Sequence, residues 1–187
     1  FDKLKKQFER KQTGSDMERL KNVISFKLKE MIKLNSLRIN YQEKFQELID
    51  EYNRGSINQK MIFEELIKIF EKLSEEEKRH VKENLSEEEL ALFDKLKKPK
   101  LTKEDEIKVK KVAKDLLNKL KNDGLSAVDW RKKQQIKASI KREIGIELDR
   151  LPSSYTQQDY DLKCQTTFQH VFDNYFGEGL SVYAGNY

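Results

Sequence analysis

Residues 102–124 read TKEDEIKVKKVAKDLLNKLKNDG, and they carry a start, a stripe and a stop. Thr102 is a residue type whose hydroxyl can accept from an amide orphaned in the first turn of a helix. Val109, Val112, Ala113, Leu116, Leu117 and Leu120 recur at spacings that keep them on one side of a 3.6-residue turn. Asn122-Asp123-Gly124 supplies the stop. Moving outward, the same pattern repeats. Met17, Leu20, Ile24, Leu28 and Met31 form one stripe; Tyr41, Phe45, Leu48, Ile49 and Tyr52 form another, ended by Gly55. Met61–Leu73 holds Ile62, Leu66, Ile69 and Leu73. Ser74-Glu75-Glu76-Glu77 and Ser86-Glu87-Glu88-Glu89 both fit the capping box, a Ser answered by a Glu three residues on. Asp129 is placed to cap a helix starting near Trp130, and Tyr160, Cys164, Phe168, Val171, Phe172 and Tyr175 trace the last stripe. The fold class is therefore all-α, a compact bundle-like domain of about eight helices with no sheet.

Composition agrees. Only 2 prolines and 7 glycines interrupt 187 residues, and 38% of the residues are charged. Aromatic residues at 10% argue against disorder. No apolar run approaches the length that spans a bilayer, so no membrane partner is expected. The one cysteine, Cys164, allows no internal disulfide and suits a reducing cytoplasm. The chain opens at Phe1 in a charged run and reads as a fragment of a longer protein.

The net charge of +5 is unevenly distributed. Residues 95–142 hold 17 basic and 6 acidic side chains; 74–94 hold 3 and 8, and 143–187 hold 2 and 7. A basic band between acidic segments points to a polyanion face beside a protein-docking face. The densest run is Trp130–Arg142, with six basic residues and no acid. Arg131, Lys132, Lys133, Lys137, Lys141 and Arg142 are the candidate DNA-binding residues, with Lys97, Lys98 and Lys100 in support. Gln134 and Gln135 stand among them. Trp130 reads as a core anchor rather than a stacking platform. Solvated lysines on a helical protein are the alternative reading of the whole band.

Catalytic signatures are missing. Gly14, Gly55 and Gly124 are isolated, so no phosphate-binding loop of the G-x-x-x-x-G-K-S/T type exists. His170 and Cys164 lie six apart on one helix and face different sides, which suits neither a metal pair nor a nucleophile and base. The acid-x-Lys tripeptides (Glu9 to Lys11, Glu76 to Lys78, Glu106 to Lys108, Asp161 to Lys163) are no more frequent than composition alone produces. No catalytic, cofactor-binding or metal-binding residue is assigned.

Five blocks carry a family likeness: Leu37–Asn53 (LRINYQEKFQELIDEYN), Leu85–Asp94 (LSEEELALFD), Val112–Leu117 (VAKDLL), Asp129–Gln135 (DWRKKQQ) and Phe168–Tyr175 (FQHVFDNY). In this order they resemble the C-terminal region of the restriction, or motor, subunit of type I restriction-modification enzymes. The resemblance implies a parent with nuclease and motor domains outside this chain, which pumps double-stranded DNA using ATP and magnesium and then cuts it. It implies partners in the specificity and modification (methyltransferase) subunits and in the other domains of the same subunit. It implies a bacterial or archaeal cytoplasmic protein. On this reading residues 1–15 are a linker from the motor region, 16–176 the helical C-terminal domain and 177–187 an irregular tail. The domain itself is expected to be non-catalytic, serving assembly and sequence-independent DNA binding; docking alone, without DNA contact, is the alternative.

Overall fold

A computed structural model describes residues 14–184. Eight α-helices are found among them: α1 (Gly14–Leu34), α2 (Ile39–Asn53), α3 (Gln59–Glu77), α4 (Arg79–Lys82), α5 (Glu87–Leu96), α6 (Lys103–Asp123), α7 (Gln134–Leu148) and α8 (Gln157–Asn174). The expected all-α class holds. The chain divides into two compact units, Phe1–Asn84 and Leu85–Tyr187. The linker assigned to residues 1–15 lies almost wholly outside the described residues; its last two residues already belong to α1.

In the first unit, α1 and α2 lay their stripes against α3. Met17, Leu20, Ile24, Leu28 and Met31 meet Ile62, Phe63, Leu66, Phe70 and Leu73, with Phe45 and Leu48 from α2. Tyr41, Ile49 and Tyr52 pack only at the edge of this core. The end of α2 shows why Gly55 is there. Ser56 N–H reaches the Glu51 carbonyl and Gly55 N–H the Tyr52 carbonyl, both at 2.9 Å, with Gly55 at φ +76°. This pair of bonds closes the last turn and requires a left-handed residue.

Of the two Ser-Glu boxes, one forms. Ser86 accepts from Glu89 N–H at 3.2 Å, and the Glu89 carboxylate accepts from Ser86 N–H at 2.7 Å. The other is corrected: Ser74 lies inside α3, where its hydroxyl donates to the Phe70 carbonyl at 3.0 Å. Glu76, the next-to-last residue of that helix, is buried and turned inward onto Arg38.

The second unit is built from α5, α6, α7 and α8. Thr102 caps α6, accepting from Asp105 N–H at 3.1 Å, and Gly124 stops it. The expected helix start at Asp129 is corrected. Asp129 sits at φ +52° without capping anything; Trp130–Lys132 form a single 3-10 turn, and α7 begins only at Gln134. On a continuous helix Trp130 would lie roughly 80° around from Ile140. Both are buried, Trp130 completely, and the chain breaks between them at Lys133.

The expectation of no sheet is also modified. Tyr175–Gly177 (β1) and Leu180–Ser181 (β2) pair antiparallel through a turn at Glu178 and Gly179, both at positive φ as such a turn demands. Residues 177–184 of the expected tail are therefore ordered by this hairpin, and 185–187 lie outside the described residues. Gly177 is at φ +99°, and a Cβ there would meet the Ala127 carbonyl oxygen at 2.7 Å.

The last stripe is rotated from its expected position. Thr167, His170 and Val171 are the buried residues of α8, whereas Phe168, Phe172 and Cys164 are half-buried. Burial still pushes the Cys164 thiol up. Among the described residues no helix is long and apolar enough to cross a membrane.

Candidate nucleic-acid interface

The structure separates the nine candidate basic residues into two groups at opposite ends of α8. Near its N-terminus, Lys98 donates to the Ser154 carbonyl at 2.5 Å and to Asp159 at 3.0 Å, with its ammonium 4.8 Å from the centre of the Tyr155 ring. Asp159 also closes the cap of α8 with Thr156. The Thr156 amide, followed by Lys98, holds the Asp159 carboxyl down at about 2, and burial pushes Tyr155 up to about 12. Lys97 lies over Phe93 and reaches Glu106 at 3.9 Å. Lys98 is thus a structural clamp between the end of α5 and the start of α8. Lys100, exposed at φ +64°, makes no ion pair among the described residues.

Lys163 belongs to this end as well and was not anticipated from the sequence. Its ammonium donates to the Lys95 and Lys97 carbonyls at 2.6 and 2.9 Å, satisfying the last turn of α5. Burial lowers its pKa, as it does that of Lys95.

The second group surrounds the 3-10 turn and α7. Arg131 is fully engaged there. Its Nε donates to the Tyr175 carbonyl at 3.0 Å and its Nη2 to the Asp173 carbonyl at 3.3 Å. The guanidinium carbon stands 5.3 Å from the Phe172 ring centre and 4.4 Å from that of Phe176. Arg131 therefore ties β1 to the 3-10 turn before it can meet any ligand. Lys132 pairs with Asp129 at 3.0 Å, and Arg142 with its neighbour Glu143 at 3.4 Å.

Lys133, Lys137 and Lys141 are spaced four apart, so they line one side of α7 and of the residue that precedes it. Lys141 projects over the Phe168 ring of α8, 4.6 Å from its centre. Tyr160 Oη donates to the Gly145 carbonyl at 3.0 Å, which fixes α7 and α8 as antiparallel neighbours. Lys133 and Lys137 form no ion pair among the described residues, and no acid occurs from Trp130 to Arg142. This row of ammonium groups is the largest set of uncommitted cations that the sequence-based list contains. The local acids Glu143 and Glu147 are drawn away to Lys119 on α6, at 3.3 and 3.1 Å.

A cavity of about 290 Å³ under the hairpin, lined by Glu88, Lys121, Tyr175, Ser181 and Tyr183 among others, contains none of the nine residues. Among the described residues no three His, Cys, Asp or Glu side chains come together to hold a metal.

Comparison with known proteins places the chain in a family. A family model described as "Type I restriction enzyme HindI endonuclease subunit-like, C-terminal" matches residues 1–173. A Methanocaldococcus jannaschii protein, provisionally named as the endonuclease subunit of the type I restriction enzyme MjaIXP, is 26% identical over 145 residues. That match takes in 77% of this chain and 13% of the relative, so the chain spans only a small part of the relative's length. No solved structure matches. With all but its last fourteen residues matched, the chain belongs to the C-terminal family of type I restriction enzyme endonuclease subunits.

Proposed function

We propose that this chain is a non-catalytic helical domain that binds duplex DNA without regard to sequence and docks its parent on the methyltransferase core. The observation that carries the DNA half is the row Lys133, Lys137 and Lys141 within a stretch, residues 130–142, that contains no acid. Such ammonium groups neutralise phosphates as point charges and read no base edge, which suits a protein that must hold any sequence passing through it. The docking half rests on the family and on the acidic segments 74–94 and 143–187 that flank the basic band. Chemistry with ATP and magnesium is assigned to other domains of the parent, and the specificity and modification subunits are the proposed partners.

The test is a mobility-shift titration of the chain against duplex DNA at two salt concentrations. Each neutralised phosphate contributes about −0.9 to the log–log slope of affinity against salt. Replacing Lys133, Lys137 and Lys141 with Gln is therefore expected to weaken binding on every sequence alike and to flatten the slope by about 2.7. A triple variant with the wild-type slope would show that this face is only solvated surface. Docking is read separately: deleting the domain from the parent should abolish its co-purification with the methyltransferase core.

A further inference from the structure

Beside the lysine row runs a second ladder that duplex binding leaves unused. Phe168, Phe172 and Phe176 stand at four-residue intervals along α8 and into β1. They are not this helix's core, which is Thr167, His170 and Val171. Phe168 and Phe172 are half-buried, with ring centres 6.2 Å apart, and Phe176 is 44% exposed. Phe172 and Trp130 pack edge to face at 5.8 Å, and both Phe172 and Phe176 lie against the Arg131 guanidinium, which its two carbonyl bonds keep in place. Phe172 and Phe176 are therefore held in position by their neighbours. Lys141, on a flexible stem over Phe168, links the two ladders.

A double helix hides the faces of its bases inside the stack; an unpaired strand presents them. Aromatic rings beside a cationic track fit the second and offer nothing to the first. The step from the Phe168 ring to the Phe172 ring, 6.2 Å, is nearly twice the rise of about 3.4 Å per nucleotide in a stacked strand. The ladder therefore matches a strand whose bases have been drawn apart. Building on the DNA-binding reading above, we infer that this face takes an extended single strand, with phosphates on Lys133, Lys137 and Lys141 and bases against Phe168, Phe172 and Phe176. When a base covers Phe168, the Lys141 ammonium swings from the ring to the neighbouring phosphate.

The experiment measures fluorescence anisotropy of the whole chain with a short labelled oligo(dT) strand and, separately, a labelled duplex. The double variant Phe168→Leu, Phe176→Leu keeps apolar bulk and removes the stacking faces. It is expected to lose about tenfold or more in oligo(dT) affinity while binding the duplex as before. Phe176→Leu alone, at the most exposed ring, should show part of that loss, and Phe176→Tyr should restore it. Unchanged oligo(dT) binding by the Leu variants, or equal losses on both probes, overturns the inference. If the duplex is also bound with no dependence on the three lysines, or neither probe binds, the DNA-binding reading falls with it. A duplex-only binder that needs the lysines leaves that reading standing and removes this one.

Discussion

Glu76→Gln is expected to cost the first unit about 3–5 kcal/mol. Glu76 and Arg38 are both buried, 8% and 3% exposed, and Arg38 Nε donates to Glu76 Oε1 at 3.0 Å. Arg38 also reaches the Met31 carbonyl through Nη1 at 3.4 Å, and Arg79 Nε stands 3.2 Å from the same carboxylate oxygen. The Tyr41 hydroxyl belongs to the cluster: burial first, then the Glu76 charge, pushes its pKa up. The isosteric amide preserves the packing and removes a negative charge that faces two guanidinium groups. A buried cation without its counter-charge carries its full desolvation cost. Replacing Arg38 and Glu76 together with Met and Leu should recover most of the loss, because the pair itself contributes little against apolar side chains of similar volume. Urea unfolding followed by far-UV circular dichroism decides it. A single-variant loss under about 1 kcal/mol would mean that water reaches the pair.

The second large effect is a pH dependence in the other unit. His170 is buried, and burial, with a smaller push from Lys95, holds its pKa down at about 3. The Asn174 amide donates to Nδ1 at 3.1 Å, which leaves the ring proton on Nε2, 3.3 Å from the Tyr183 hydroxyl. Both ring nitrogens are thus matched to a neutral imidazole. The unfolded chain takes up a proton near pH 6.5, while the folded chain takes it up only near pH 3. Stability contributed by the neutral ring is therefore complete above about pH 6.5 and drains away as the pH falls. The limiting slope is about 1.4 kcal/mol per pH unit. Asp159, held at about 2, adds a loss of the same sign only below the ordinary carboxylate range, so the measurement belongs between pH 6.5 and 4.5. Trp130, the single tryptophan, is fully buried in this unit and reports its unfolding by fluorescence. His170→Gln should flatten the dependence in that window. An equally steep curve from the variant would assign the acid sensitivity to other groups.

What was legible in the sequence is what depends on near neighbours. The stripes of α1 and α6, the Ser86 and Thr102 caps and the Gly55 stop are settled within about one helix length, and each stands where periodicity puts it. Ser74 has the same local signature as Ser86, yet its box does not form: α3 runs on through Ser74, and the box's glutamate, Glu77, is paired with Lys27, 50 residues away. No local rule contains that distance. The break at Lys133 is set by distant groups too: Trp130 packs on Phe172 and Arg131 donates to the Asp173 and Tyr175 carbonyls, 42 to 44 residues on. On α8, hydrophobicity favoured the phenylalanines for the core, but the cations of the 3-10 turn and α7 sit over those rings, and a threonine and a histidine were buried instead. The candidate site fared likewise. The basic run was visible as composition, whereas the commitment of Arg131 and Lys98 to backbone carbonyls depends on tertiary contacts.

Gly177 carries a consequence for how sequences in this lineage can drift. Two prohibitions coincide there: a backbone at φ +99° that side chains rarely adopt, and a carbonyl oxygen 2.7 Å from where the first side-chain carbon would sit. Gly55 faces only the first, with open space around it, and an asparagine can occupy such a left-handed site at modest cost. Saturation mutagenesis should therefore leave a permissive column at 55 and an empty one at 177. A hairpin of five strand residues, too short to register as a strand pattern, would then be the most mutationally frozen point of a helical protein.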